Sequence, residues 1–346
     1  MIIKLTHAHI IGTIMAYIFG VFLVPLVINF SKKEGLVDVP NERKIHKKPI
    51  SRIGGVAIWA STMLTFLCLV FMSYYPAQTL LSGVLLGSSL MFLLGLVDDV
   101  YNLSAKFKLF LQISIATLVY LLGIQISNLP LFGGIELGFW SYPITVLWIV
   151  GICNALNFID GVDGLAGSVT TINSLTLAII ALAMVPPNPI IALFGFILAG
   201  SMLAFLTYNF NPAKIFMGDS GALFSGFMLA TISITGVMKA ATLVTILLPL
   251  LVLAVPIMDI TYSSIRRILK GQSPFVADAE HIHHKLLHAG FSQKKTVIIL
   301  TSCAIIAGAF ATLLMGKTAI MHYALVIAVV VLIMLILNFI KVLTKK

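Results

Sequence analysis

Residues 189–208 read PIIALFGFILAGSMLAFLTY, a stretch without a single charged side chain. A helix that crosses a bilayer needs about 20 consecutive, mainly apolar residues, so this stretch predicts a membrane span. Similar runs recur along the whole chain. Of its 346 residues, 60% are apolar and 10% are charged, whereas soluble domains carry about 25% charged residues. The apolar runs are continuous rather than alternating, which predicts an all-α polytopic membrane protein and not a barrel.

About eleven spans of suitable length are predicted, and they leave one integral-membrane domain over residues 1–346 without a separate soluble domain. The first run is too long for a signal-peptide core, so we expect it to be retained. The spans are expected at 7–30, 54–73, 79–97, 107–126, 141–159, 164–184, 189–208, 220–238, 241–262, 296–315 and 319–340.

Basic residues divide unequally between the two sides that these spans define. If the loop 31–53 is placed inside, 19 of the 22 Lys and Arg residues fall on that side, as the positive-inside rule requires. The N-terminus is then predicted outside and the C-terminus in the cytoplasm. This distribution explains the net charge of +10 without a nucleic-acid partner. Of the twelve acidic residues only Glu136 falls outside, in a stretch 127–140 that predicts a small hairpin.

Three carboxylates at the inner face predict a divalent-cation site. Asp98 and Asp99 end the third span, where adjacent carboxylates are costly unless they are hydrated, paired with Lys106 and Lys108, or bound to a cation. Asp219 lies just before the eighth span, where a simple helix cap is the alternative. Several carboxylates around one bound phosphate are typical of Mg²⁺, a hard cation that prefers oxygen ligands and bridges substrate phosphates.

Residues 154–166 read NALNFIDGVDGLA, and they end one predicted span and open the next. The two Asp-Gly dipeptides predict a tight turn, with Asp163 as a candidate N-cap. A turn does not explain Asn157 and Asn154, which lie one and two helical turns before Asp160, whereas a polar site does. A calcium loop is not favoured, because the EF-hand spacing and its final Glu are missing.

Two further loops contribute polar residues to the inner face. Residues 271–290 carry four histidines within 281–288, without a Cys and without the spacing of a standard zinc site. Hydrogen bonding near a phosphate is therefore preferred to zinc binding. Residues 41–55 combine basic side chains with Gly54-Gly55 at a helix start, which suits anionic lipid headgroups or a phosphate bound at the helix N-terminus.

Five motifs in this order resemble the polyprenyl-phosphate N-acetylhexosamine-1-phosphate transferases, membrane enzymes that begin bacterial envelope polymers such as lipopolysaccharide or teichoic acid. They are Lys47 to Gly55, Asp98-Asp99, Asn154 to Ala166, Phe216-Met-Gly-Asp219-Ser-Gly221 and His281-Ile-His283-His284. The resemblance implies Mg²⁺-dependent transfer of a sugar 1-phosphate from a UDP-sugar to undecaprenyl phosphate, with release of UMP. It places the site on the cytoplasmic face of the bacterial plasma membrane. Mn²⁺ is the expected substitute for Mg²⁺. Whether the protein forms a homodimer is left open by the resemblance.

The resemblance also implies roles for individual residues. Asp219 is expected to bind Mg²⁺, and Asp98 and Asp99 are expected to be catalytic residues and further metal ligands that contact the lipid phosphate. Substrate binding is expected of Lys48, Ser51, Arg52, Gly54, Lys108, Asn157, Asp160, Asp163, Asn209, Phe216, His281, His283 and His284.

The donor sugar has two candidate identities. The interrupted histidine cluster His281-Ile282-His283-His284 is similar to the branch of the family that uses UDP-N-acetylglucosamine. Transfer of phospho-N-acetylmuramoyl-pentapeptide is the alternative. A transporter of an anionic metabolite or lipid is a more distant alternative, because transporter sites lie near the bilayer midplane and the polar motifs here lie at one end of the spans.

Overall fold

The computed structural model describes residues 7–39, 49–72, 79–129, 135–236, 243–269 and 281–313. Helices dominate these ranges: α1 His7–Lys33, α2 Gly54–Phe71, α3 Thr79–Tyr101, α4 Ala105–Leu121, α5 Ser141–Ile159, α6 Leu165–Ala183, α7 Pro189–Asn209, α8 Gly218–Gly236, α9 Leu243–Val252, α10 Ala254–Leu269, α11 Ile282–His288 and α12 Gln293–Leu313. Seven helices in the described ranges are long and apolar enough to cross a membrane. The predicted all-α polytopic class is therefore confirmed. The predicted span 319–340 lies outside the described residues.

The centre of the bundle is formed by α6, α7 and α8. Both α6 and α8 are buried along almost their whole length, and α7 is largely buried. Their continuous apolar composition follows from this position, since each of these helices has neighbours on every side.

α1 packs on α7 through small residues. A Cβ atom added to Gly20 would lie 2.5 Å from the Cβ of Ala204, and one added to Gly200 would lie 2.3 Å from the carbonyl oxygen of Thr13. The opposite face of α1 exposes Phe22. Close backbone approach through small residues is a common way to associate helices in lipid, so α1 has one protein-facing and one lipid-facing side.

The span predicted over 241–262 is wrong as a single helix. The structure divides it into α9 and α10, which are separated at Leu253. Pro256 lies in the first turn of α10 and has no N–H to donate to the carbonyl of Val252, so the helical ladder is interrupted there. α10 then continues to Leu269, seven residues beyond the predicted end.

α4 is also shorter than the predicted span 107–126. It ends at Leu121 because Gly123 adopts a φ of +92°. The N–H of Ile124 donates to the carbonyl of Val119 at 3.1 Å. This is the hydrogen bond of a Schellman ending, in which glycine takes the left-handed conformation without steric cost.

Two short antiparallel pairs lie outside the helices. β1 (Val37–Asp38) pairs with β2 (Ile50–Ser51), and β3 (Asn128–Leu129) pairs with β4 (Ile135–Glu136). The second pair confirms the hairpin predicted within 127–140. Ser51 also forms a parallel bridge with Ile215, which places the start of α2 beside the start of α8.

Candidate functional site

Asp98 at the end of α3 and Asp219 in the first turn of α8 share one ammonium group. The Nζ atom of Lys108 donates to Asp98 Oδ2 at 2.7 Å and also to Asp219 Oδ2. The second oxygen of each carboxylate is held elsewhere: the Leu103 N–H donates to Asp98 Oδ1 at 2.6 Å, and Asn157 Nδ2 donates to Asp219 Oδ1 at 2.8 Å. The two Oδ2 atoms, which Lys108 bridges, are therefore the oxygens that a metal cation between the two carboxylates would share.

Asp99 caps the N-terminus of α8 from the neighbouring helix α3. Its Oδ1 accepts the N–H of Asp219 at 2.7 Å, and its Oδ2 accepts the N–H and the hydroxyl of Ser220 at 3.0 and 2.6 Å. The first N–H groups of a helix lack partners within the helix and carry partial positive charge, so a carboxylate is favourable there. Gly218 permits the approach, because its φ is +72° and an added Cβ would lie 2.7 Å from Asp99 Oδ2.

Asp160 follows α5 and brings a fourth carboxylate to the cluster. Burial raises the pKa of Asp160 well above its usual value, and the negative charges of Asp219 and Asp99 raise it further, while the Gly218 N–H opposes this effect. Within the described residues, Asp98 and Asp219 share the Lys108 ammonium, and Asp99 and Asp160 lie close enough to Asp219 to interact with its charge. Their mutual repulsion favours a bound divalent cation.

The residues present fit Mg²⁺. Oδ2 of Asp98 and Oδ2 of Asp219 already converge on a positively charged group, the ammonium of Lys108. Among the described residues no set of three or more His, Cys, Asp or Glu side chains is arranged to hold a metal by itself. Mg²⁺ commonly takes one or two carboxylates and completes its shell with water and substrate phosphates. A site of two carboxylates that requires a phosphate as a further ligand is consistent with this coordination preference.

Asp163 and Asn209 tie neighbouring segments together. Asp163 Oδ2 accepts the Ala213 N–H at 3.1 Å, while Asn209 accepts the Gly164 N–H at 2.9 Å and donates to the Ile215 carbonyl at 2.8 Å. Gly164, with φ of +83°, occupies the N-cap position of α6, so Asp163 does not cap that helix. Both polar groups of Asn209 are engaged within the protein, and substrate contact by these two residues stays a prediction.

The helix start at Gly54-Gly55 is used differently from the expected phosphate site. The Gly54 N–H donates to the Phe216 carbonyl at 3.0 Å, and the Gly55 N–H donates to the Met217 carbonyl at 2.8 Å. The approach is close, since a Cβ added to Gly54 would lie 2.4 Å from the Phe216 oxygen. These two amides are therefore bonded to backbone carbonyls, which is the reason that they do not form an open anion site.

Two neighbouring side chains are better placed to meet a ligand. Ser51 Oγ and Arg52 Nε are buried without a hydrogen-bond partner in the described part of the chain. A buried polar atom without a partner is costly, so a bound polar group would stabilise this loop. Lys48, which was expected to bind substrate, lies outside the described residues.

The three histidines form a cluster of rings at the start of α11. The ring centroids of His283 and His284 lie 4.3 Å apart, and those of His281 and His283 lie 5.8 Å apart. Burial, and then the charge of His284, lower the pKa of His283 to about 4. Neither ring nitrogen of His283 has a hydrogen-bond partner among the described residues. The cluster lies against the turn after α5, because a Cβ added to Gly161 would lie 2.4 Å from His283 Nε2.

Sequence reasoning missed Asp259, which it placed at the inner face without a role. Asp259 is 1% exposed, and it accepts hydrogen bonds from His281 Nδ1 at 2.9 Å and from the Ile282 N–H at 2.7 Å. A signal was present: Asp259, Ser263 and Arg267 recur at every fourth position of this segment. That spacing places them on one helix face.

The fold and this cluster define an integral membrane protein whose acidic side chains are gathered at one end of its helices. Residues 81–237 match Glycosyl transferase family 4, a range that includes Asp98, Asp99, Asp160 and Asp219. The chain belongs to this family, and the resemblance that its motifs predicted is confirmed.

Several relatives are similar over most of their length. The chain is 37% identical over 294 residues to a protein of Bacillus subtilis (strain 168) named probable undecaprenyl-phosphate N-acetylglucosaminyl 1-phosphate transferase, covering 84% of this chain and 80% of the relative. It is 32% identical to decaprenyl-phosphate N-acetylglucosaminephosphotransferase of Mycolicibacterium smegmatis, covering 86% and 81%. It is 27% identical to undecaprenyl-phosphate alpha-N-acetylglucosaminyl 1-phosphate transferase of Escherichia coli (strain K12), covering 84% and 81%.

Proposed function

We propose that this protein transfers N-acetylglucosamine 1-phosphate from UDP-N-acetylglucosamine to undecaprenyl phosphate and releases UMP, as the first membrane step of an envelope polysaccharide or teichoic acid. One observation carries the proposal: the carboxylates of Asp98 and Asp219 converge on one cation position at the end of the bundle. The names of the relatives supply the substrate class.

Phosphoryl transfer depends on positioning and on charge neutralisation more than on covalent chemistry. Mg²⁺, held by Asp98 and Asp219, would supply charge neutralisation for the diphosphate and improve UMP as a leaving group. Asp99 and Asn157 hold Asp219 in place through its backbone and its Oδ1. Lys108 is not a metal ligand, because an ammonium group only donates hydrogen bonds. Its positive charge is suited to pair with a phosphate oxygen.

Asp98 is the proposed base or orienting group for the lipid acceptor. A phosphate monoester has a second pKa near 6, so only a fraction of undecaprenyl phosphate carries a proton at neutral pH. Asp98 takes that proton or orients the dianion. A lipid phosphate oxygen then forms a bond to the β-phosphorus of the donor, and the bond between this phosphorus and the bridging oxygen breaks, so that UMP leaves.

The proposed topology has eleven spans, in which the broken pair α9 and α10 counts as one, with the N-terminus outside and the site on the cytoplasmic face of the bacterial plasma membrane. The support is the division of Lys and Arg residues, of which 19 of 22 lie on one side. A cytoplasmic site also suits the substrates, since a nucleotide sugar is soluble and the lipid phosphate lies at the headgroups.

The test is UMP release by the purified protein in lipid nanodiscs that contain undecaprenyl phosphate and Mg²⁺. We expect release with UDP-N-acetylglucosamine and at least about 100-fold slower release with UDP-N-acetylmuramoyl-pentapeptide. Faster release with the peptide sugar would favour the alternative donor. Absence of release with both donors, together with uptake of an anionic metabolite into vesicles, would favour the transporter.

A further inference from the structure

A pair of side-chain amides joins α4 to α5 inside the bundle. Gln112 is fully buried, and the other buried residues of α4 are the apolar Ala116 and Val119. Asn154 Nδ2 of α5 donates to Gln112 Oε1 at 2.7 Å, and Gln112 Nε2 donates to Asn154 Oδ1 at 3.4 Å. A buried amide is costly without hydrogen-bond partners, so the pairing fixes the Gln112 side chain and the helix that carries it.

Both amides are engaged within the protein. Asn154 Nδ2 also donates to the Val150 carbonyl of its own helix at 2.8 Å, so both of its N–H groups have acceptors. Gln112 has no surface open to solvent. The pair is therefore suited to brace the two helices and not to contact a ligand. This contact gives Asn154 a role, which the turn at Asp160 does not.

The amide pair lies one helical turn from two residues that hold Asp219. Gln112 follows Lys108 by four residues on α4. Asn154 precedes Asn157 by three residues on α5. These separations correspond to about 6 and about 4.5 Å along a helix, and residues three or four apart share a helix face. α4 begins at the site and α5 ends there, so both steps lead away from the carboxylates to the same depth.

The register of α4 against α5 determines how Asp219 is held. Lys108 of α4 donates to Asp219 Oδ2, and Asn157 of α5 donates to Asp219 Oδ1 at 2.8 Å. Both oxygens belong to one rigid carboxylate, so a slide of one helix along the other would draw at least one donor away. Hydrogen bonds between side-chain amides of neighbouring helices oppose such a slide, and this pair lies only one turn from the two donors.

We propose that Gln112 and Asn154 are positioning residues, whose amide pair fixes the register of α4 and α5 so that Lys108 and Asn157 hold both oxygens of Asp219 at once. The proposal deepens the proposed function and rests on it for the reaction that is affected. Asp219 is the proposed metal ligand, and a misplacement of about 1 Å near the reacting atoms can lower a rate about 100-fold. Two residues that touch no substrate thus control the geometry of the site.

The test measures the environment of Lys108 by its rate of acetylation in the full chain, without metal, in lipid nanodiscs. An ammonium held between two carboxylates keeps its proton and is acetylated slowly. Lys106, an exposed lysine of the same helix, is the internal reference, and fragment-ion mass spectrometry separates the two. We expect Gln112→Leu, which removes the pairing at similar volume, to raise the acetylation of Lys108 relative to Lys106 several-fold. With UDP-N-acetylglucosamine, the same variant should lower kcat about tenfold or more.

Tyr142→Phe is the matched control on the same pair of helices. The Tyr142 hydroxyl and Thr117 Oγ1 lie 3.0 Å apart and form a second side-chain hydrogen bond between α5 and α4, toward the end of the helices that is opposite to the site. This variant should change neither the acetylation of Lys108 nor kcat, even where it lowers the thermal midpoint as Gln112→Leu does. Equal effects of the two variants on Lys108 would show a merely structural role and overturn the proposal.

An exchanged pair supplies the rescue. Gln112→Asn alone shortens the reach of the amide and should act like Gln112→Leu, whereas Gln112→Asn combined with Asn154→Gln restores the combined length and should recover most of both quantities. Wild-type acetylation of Lys108 in Gln112→Leu and Gln112→Asn, or no recovery in the exchanged pair, would also refute the assignment. If Gln112→Leu does not fold, Gln112→Asn and the exchanged pair decide. Failure of the wild type to use UDP-N-acetylglucosamine would refute the proposed function, whereas the acetylation ratio tests the helix register without any substrate.

Discussion

Asp219 is held by three other helices before any ligand binds. Asp99 of α3 accepts its N–H, Asn157 of α5 donates to its Oδ1, and Lys108 of α4 donates to its Oδ2. A side chain that is fixed in this way loses little conformational entropy when it binds a cation. The sequence predicted Asp219 and named Asp99, Asn157 and Lys108 as residues of the same site, but it did not predict that these three would bond to Asp219, because they come from distant segments.

The first prediction concerns the metal. Asp219→Asn should lower kcat at least about 100-fold, because an amide is a poorer ligand for a hard cation than a carboxylate. Turnover measured across a Mg²⁺ titration checks this, with Glu136→Gln as the control for loss of one carboxylate. Wild-type turnover with unchanged Mg²⁺ dependence would show that Asp219 is not a metal ligand.

The second prediction follows from the buried neutral ring of His283. Its pKa is about 4 in the folded protein and about 6.5 in an unfolded chain, so the unfolded state binds the proton first as the pH falls. Stability is therefore fully present above about pH 6.5 and is lost between about pH 6.5 and 4, by roughly 3 kcal/mol. Thermal midpoints of His283→Gln should depend less on pH in this window than those of the wild type. His288→Gln, an exposed histidine of the same helix, should retain the wild-type slope, and an equal slope for His283→Gln would contradict the assignment.

At the scale of elements, α3, α4 and α8 are joined by side chains at their ends rather than by apolar packing alone. The adjacent residues Asp98 and Asp99 serve different neighbours: Asp98 pairs with α4, and Asp99 caps α8. Adjacent helical residues point about 100° apart, which allows this division. A sequence does not distinguish a carboxylate that caps a distant helix from one that binds a metal. The different roles of Asp98 and Asp99 could therefore not be predicted from the sequence.

The third prediction is that Lys108 and Mg²⁺ compete for the same oxygens. Lys108→Gln should lower the thermal midpoint of the metal-free protein, since Asp98 and Asp219 then repel each other without a cation. The same variant should show a larger stabilisation by Mg²⁺ and a several-fold lower midpoint concentration. Lys106→Gln, an exposed lysine of the same helix, should behave as the wild type in a Mg²⁺-dependent thermal shift. A weaker Mg²⁺ response of Lys108→Gln would show that the lysine supports the metal site instead.

Hydropathy predicted the helices of this bundle better than their ends. The first eight helices were all predicted at close to their observed positions. The division between α9 and α10 and the early end of α4 depend on Pro256 and Gly123, single residues whose effects a search for 20-residue apolar runs does not register. The inward polar face of α10 was missed for a related reason, because an average over a run of residues does not separate the two faces of a helix.

At the scale of the whole molecule, alternation of spans predicted that the polar motifs would meet. Asp98, Asp160 and Asn209 lie at the ends of α3, α5 and α7, and Asp219 lies at the start of α8. The structure brings Asp98, Asp160 and Asp219 together at one end of the bundle. Asn209 joins the turn before α6 to the segment before α8. The order of the helix ends along the chain thus predicted the location of the site. The hydrogen bonds within the site depend on side-chain rotamers and on the paths of the loops, which hydrophobic periodicity does not predict.

The fourth prediction concerns orientation. In a chain whose three cysteines are replaced, a membrane-impermeant maleimide added to intact cells should label Glu136→Cys in the β3–β4 hairpin and leave Lys106→Cys at the start of α4 unlabelled. The reason is the positive-inside rule, which places the Lys106 end of the bundle in the cytoplasm. Labelling of Lys106→Cys but not of Glu136→Cys would reverse the proposed topology.

The most direct measurement of the central claim counts UMP and the lipid-linked sugar diphosphate together. Wild-type protein in nanodiscs with UDP-N-acetylglucosamine, Mg²⁺ and undecaprenyl phosphate should produce the two in equal amounts, and it should release no UMP when the lipid is omitted. Asp98→Asn should lower both products together with little change in nucleotide affinity, and raising the pH should recover part of the loss, since the lipid phosphate then ionises without help. One equivalent of UMP released without lipid, with sugar phosphate trapped on the wild-type protein and absent from Asp98→Asn, would contradict the single displacement and make Asp98 the nucleophile.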